Sequence, residues 1–152
     1  MEMDALTGAA VDLQAQVEDR VGTIETVISS LAAEGSPLVS RQDDRILWKF
    51  TYGTVEVLVQ LTGASDEDTL TVWSAVLDLP ANNEAEMMQE LMAANWVSTL
   101  EARYAVTNNQ VVVVTTRTVE DLSATEISRA ITLVASIADE SDEPLIEKYG
   151  KG

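Results

Sequence analysis

The 152-residue chain contains no histidine and no cysteine. It therefore cannot supply an imidazole base, a thiolate nucleophile, a Cys/His zinc site, a disulfide or a proximal histidine for haem. Most familiar hydrolase and redox mechanisms are excluded by that alone. Basic residues are scarce too, with nine Lys and Arg against 26 Asp and Glu, a formal charge of −17. Nucleic acid and anionic lipid are held mainly by Lys and Arg, and the nine form no run, so neither is an expected partner. Long apolar runs are also missing: the longest in an expected strand is Val111 to Val114, far short of a bilayer span. The start, Met1-Glu2-Met3-Asp4, lacks the basic beginning of a secretory signal, so a cytoplasmic location is expected, and the lack of cysteine agrees with it.

What is present is enough for a fold. Hydrophobic residues make up 46% of the chain, and the length matches one domain, expected over 1–152 with a core from about 13 to 140 and a tail from 141 to 152. The acids divide evenly, 13 before position 77 and 13 after 76, which describes an acidic surface rather than an acidic tail. Such a surface keeps copies apart in solution or attracts a basic partner.

Leu13, Val17, Val21, Ile24, Val27, Ile28 and Leu31 recur at helical steps, and Gly35-Ser36-Pro37 marks the end of that helix. From Ile46 the period becomes two. Ile46, Trp48, Phe50 and Tyr52, then Val55, Val57, Val59 and Leu61, describe two half-buried strands joined at Gly53-Thr54, where glycine suits a type II′ turn. A third strand is expected over about Thr69 to Asp78. Asn82 and Asn83 can then cap a helix on which Met88, Leu91, Met92 and Trp96 share a face, read as core packing in preference to an adaptable methionine surface. Leu100, Ala102, Tyr104 and Val106 alternate before Asn108-Asn109 and the strand Val111 to Thr116, which reads as a second hairpin because Asn tolerates the left-handed turn conformation. Ser123 and Glu126 form a capping box ahead of the stripe Ile127, Ala130, Ile131, Val134, Ile137 and Ala138. Asp139-Glu140-Ser141-Asp142-Glu143 and Pro144 read as a helix stop leading to a mobile tail; the competing reading docks that tail through Leu145, Ile146 and Tyr149.

The class is therefore α+β with two layers, in the order helix, three strands, helix, two strands, helix, and the helices lie on one face of a five-stranded antiparallel sheet. The other face stays open. Leu47, Leu58, Trp73, Val112 and Val114 fall on it, and an apolar open face marks a partner or dimer interface. The competing reading slips the third and fifth strands by one residue and makes Trp73 an ordinary core side chain.

Candidate chemistry is thin. Asp66-Glu67-Asp68 offers a D-x-D, but the sixth and twelfth positions of a calcium loop hold Thr71 and Leu77 instead of Gly and Glu. No spacing singles out a carboxylate pair for acid/base work, and the phosphate-loop, dinucleotide and nucleophile-elbow motifs are absent. No metal, cofactor or catalytic residue is expected.

Leu91-Met92-Ala93-Ala94-Asn95, Tyr104-Ala105-Val106, Val111 to Val114, Val119-Glu120-Asp121-Leu122-Ser123 and Ile131 to Asp139, taken with the element order, resemble the YbjN-domain family. That family's fold resembles the type III secretion chaperones. The resemblance covers about residues 13 to 140 and implies a homodimeric, non-enzymatic bacterial protein, either a sensory or stress-linked regulator or a chaperone-like binder of protein segments. It carries no catalytic residues. The Gly-rich turn often found before the fourth strand of the chaperones is replaced here by Trp96-Val97-Ser98-Thr99. The expected function is a protein-binding module that acts as a homodimer on itself and a further protein; the alternative class is a carboxylate-based or metal-assisted enzyme.

Overall fold

The structure is a computed structural model that describes residues 2–63 and 65–151, with side-chain surroundings for residue 15, residues 17–63 and residues 65–151. Helix α1 spans Glu2–Leu31. Its stripe lies as the spacing requires, with Val21, Ile24 and Ile28 buried and Val17, Val27 and Leu31 packed partly against the core. The side chain of Leu13 lies outside the described residues. Strands β1 (Leu38–Gln42), β2 (Arg45–Tyr52), β3 (Val55–Leu61) and β4 (Thr69–Asp78) follow. Then come α2 (Glu84–Val97), β5 (Arg103–Thr107), β6 (Gln110–Thr118) and α3 (Ala124–Tyr149).

The sheet has six strands, not five, in the order β1-β2-β3-β4-β6-β5, and every neighbouring pair is antiparallel. The extra strand is β1, whose five residues are all exposed. It carries no alternation of apolar and polar side chains, because an edge strand beyond the reach of the helices has no core side to fill. Both expected hairpins form. Gly53 takes φ 55° at the first central position of its turn, and Asn108 and Asn109 take 51° and 58°, the pair of positive values of a type I′ turn.

The core lies between the sheet and α1 and α3. Trp48, Phe50, Val57, Val59, Leu61, Val72, Val111 and Val113 point into it and meet Ile24, Ile28, Ile127, Ile131, Val134 and Ala138. The capping box at the start of α3 is made: Ser123 Oγ accepts from Glu126 N at 3.1 Å, and the Glu126 carboxylate accepts from Ser123 N at 3.2 Å.

Two expectations about helices fail. Pro144 does not end α3, and residues 141–149 are not a tail. The stripe continues at three- and four-residue steps from Ala138 through Asp142 and Leu145 to Tyr149, all of them buried. A proline inside a helix removes one hydrogen bond and costs about 3 kcal/mol, which the burial of Leu145 and Tyr149 offsets. Tyr149 also ties the helix end down: its hydroxyl donates to Glu90 at 2.7 Å, and its carbonyl accepts from Asn82 N at 2.8 Å. The second failure concerns α2, whose N-cap residue Asn83 makes no side-chain cap hydrogen bond. It sits at the β5 edge instead of over the sheet, so it buries Met87 and Leu91, while Met92 and Trp96 are exposed. Leu100, expected to open the following strand, lies outside β5 with φ 54° and is likewise exposed.

Candidate functional site

Side chains opposite one another in paired strands share a face, so the register assigns the open face directly. One row crosses the whole sheet: Leu38, Lys49, Leu58, Trp73, Val114 and Arg103. Leu58, Trp73 and Val114 are therefore adjacent, with a basic side chain on either side of them. Leu47 stands in the next row beside Ser40 and Gln60, and Val112 lies between Ala75 and Ala105. The slipped phase of the third and fifth strands does not occur.

Leu47, Leu58, Trp73 and Val114 are half-buried, whereas Val112 is only 3% exposed and has almost nothing left to cover. Charge distinguishes this face from the rest of the molecule. Its strand positions hold Arg45, Lys49 and Arg103 against Glu56 and Asp78, in a chain with 26 acids and nine bases. Lys49 pairs with Glu56 at 3.2 Å.

A second apolar surface lies where the spacing implies core packing. Met88, Met92 and Trp96 form a stripe along α2 at four-residue steps, continued by Val97 and Leu100. Trp96 is 86% exposed and Met92 69%. The orientation of α2 is set by three contacts. Glu90 reaches Lys148 and Tyr149 of α3, Leu91 faces the core, and Asn95 bonds both the N–H and the carbonyl of Tyr104, at 2.7 and 3.2 Å. Asn95 thus substitutes for a neighbouring strand on the outer edge of β5. At about 100° per residue, Met92 lies roughly 200° round from Glu90, which turns the stripe away from the α3 layer. The uncharged stretch Leu91–Leu100 was the available signal, since a solvent-facing helix of an acidic chain ordinarily carries charge there.

The carboxylates whose acidity departs from the ordinary all move in one direction. Asp68 is held low by hydroxyl donors from Thr62 and Ser65, which also close the β3–β4 loop. Glu90 is held low by the Tyr149 hydroxyl and then Lys148, Glu101 by Arg129, and Glu126 by Arg117 and then Ser123. Burial, with Glu90 beside it, pushes the Tyr149 hydroxyl up. A general acid needs the opposite, a carboxyl that keeps its proton near neutrality. Among the described residues no three Asp or Glu converge as a metal-binding group. No helix among them is long and apolar enough to cross a membrane.

Residues 23–147 match the family model for YbjN, described as "Putative bacterial sensory transduction regulator". The chain belongs to the YbjN family. The YbjN match takes in all six strands and α2, and it runs past Pro144 into the final turns of α3. No curated protein matches the chain. Among solved structures, this YbjN chain is similar to one in the structure described as "Crystal Structure of the ExsC-ExsE Complex", at 14% identity and a TM-score of 0.47, over 74% of this chain and 77% of that one.

Proposed function

We propose that this YbjN-family protein is a non-enzymatic, cytoplasmic protein-binding module, regulatory or chaperone-like, that acts as a homodimer through its open sheet face. The observation that carries the reading is the uncovered row Leu58, Trp73 and Val114 with Leu47 beside it. Each large apolar side chain contributes roughly 1.5 to 3 kcal/mol when fully buried. Association must overcome the mutual repulsion of two chains at −17, and this face opposes it little, because its strand positions hold three bases against two acids. Val112 forms part of the floor of that surface. The α2 stripe, rich in methionine and open to solvent, suits a protein partner of adaptable shape while the second copy covers the sheet.

The test is sedimentation equilibrium with circular dichroism. The wild type is expected to be a dimer that tightens as salt rises, because exposed charges are screened beyond about 8 Å at physiological ionic strength. Trp73→Glu is expected to be a folded monomer. A wild-type monomer, or a Trp73→Glu chain that unfolds instead of dissociating, overturns the proposal.

A further inference from the structure

The pairing of β3 with β4 runs from Leu61↔Leu70 to Leu58↔Trp73 and stops there. Beyond it, β4 is bulged between Ala75 and Leu77, and the Ser74 hydroxyl donates to the Glu56 carbonyl at 2.6 Å in place of a ladder bond. The strands part, and a cavity of about 510 Å³ opens between Thr54 and the end of β4, closed on the helix side by Asp142 and Ile146 of α3.

We propose that this cavity binds a small organic cation, an aliphatic primary amine. Asp142 is 94% buried, and its described partner is one hydroxyl: Thr54 Oγ1 lies 2.9 and 2.8 Å from its two carboxylate oxygens. The same Oγ1 is 3.1 Å from Asp139 Oδ1, so two carboxylates share a single proton donor. Asp139 has the backbone N–H of Thr54 as well, at 2.9 Å; among the described residues Asp142 has no second donor. The ion pairs of the described residues lie elsewhere, and Lys151 lines the cavity without reaching Asp142. A carboxylate held this deep ordinarily faces a cation or several donors. Beside it, Ile146 lines the cavity with aliphatic surface and is 51% exposed, an open flank for the ligand's hydrocarbon body. An ammonium on Asp142 with its chain along Ile146 satisfies both features. Lys151 competes for the same carboxylate. The cavity borders the end of the open sheet face at Ala75, Asp78 and Gln110, but the groups proposed to hold the amine, Asp142 and Ile146, belong to α3 and lie outside the row Leu58, Trp73 and Val114.

n-Butylamine, with 1-butanol as its neutral isostere and sodium chloride at matched ionic strength, tests this by amide NMR titration of the full chain. Saturable shifts centred on Thr54, Val76 and Ile146 are expected with the amine and not with the alcohol. Asp142→Asn should weaken the amine at least about tenfold. Glu140→Gln, which removes one charge from an exposed position on the same helix, should change it by less than about twofold. Lys151→Ala should tighten it. Equal weakening by both acid variants, equal binding of the alcohol, or no saturable shift overturns the proposal. Should circular dichroism show Asp142→Asn unfolded, Ile146→Lys replaces it: an ammonium on the cavity's own wall should block the amine, and unaltered binding overturns the proposal equally.

Discussion

Tyr149→Ala tests whether the last turns of α3 belong to the folded body. The side chain is 1% exposed, and its hydroxyl donates to Glu90 while its backbone carbonyl takes the N–H of Asn82. Truncating a buried aromatic to alanine removes its transfer free energy and leaves a cavity, together about 3 to 5 kcal/mol. Removing the hydroxyl alone, in Tyr149→Phe, should cost about 1 kcal/mol, because the Glu90 acceptor is half open to water. Against a total stability of roughly 5 to 15 kcal/mol, the alanine variant loses a large share. For a chain of this length it should melt roughly 6 to 20 °C lower. Urea unfolding followed by circular dichroism, at one fixed protein concentration, measures both variants, since association would shift the midpoints. Slow amide exchange at Leu145 to Tyr149 should accompany the wild-type result. A Tyr149→Ala loss below about 1 kcal/mol would refute the docking argument and restore the mobile tail.

Two further predictions concern charge and backbone. Glu126 is held low in the folded protein by Arg117 and Ser123, so the unfolded chain binds more protons, and the stabilisation it brings is complete above the ordinary carboxylate range and lost as pH falls through the folded value. Urea midpoints of wild type and Glu126→Gln should therefore differ at neutral pH and converge in strong acid; a gap that persists there would contradict the assignment. Gly53→Ala should destabilise by at least about 1 kcal/mol, because φ is 55° there and an added Cβ would run into the Asp139 carboxylate. A neutral result in thermal unfolding would mean that the hairpin tip does not rest on α3.

How much of this was legible in the sequence depended on whether a feature was local. Turn geometry at Gly53 and at Asn108-Asn109, the capping box at Ser123, and the two-residue phase of β2 and β3 all follow from steric and hydrogen-bonding preferences within a few residues, and all appear where the residues imply. β4 and β6 are apolar on both faces, which leaves their phase open in the sequence, and only their pairing puts Trp73 and Val114 beside Leu58 on the open face. The exposed strand β1 was not, since an edge strand needs only a neighbour's backbone groups and leaves no apolar pattern. Asp142 and Pro144 interrupted the α3 stripe on paper, yet contacts with Asn82 and Glu90, about 60 residues away in sequence, hold the helix together through them. Met92 and Trp96 show the converse. Periodicity determined that they share a side of α2, while only the placement of that helix at the β5 edge decided that nothing covers it, because a hydrophobic pattern records which side chains are grouped and a neighbour's position decides whether they are buried.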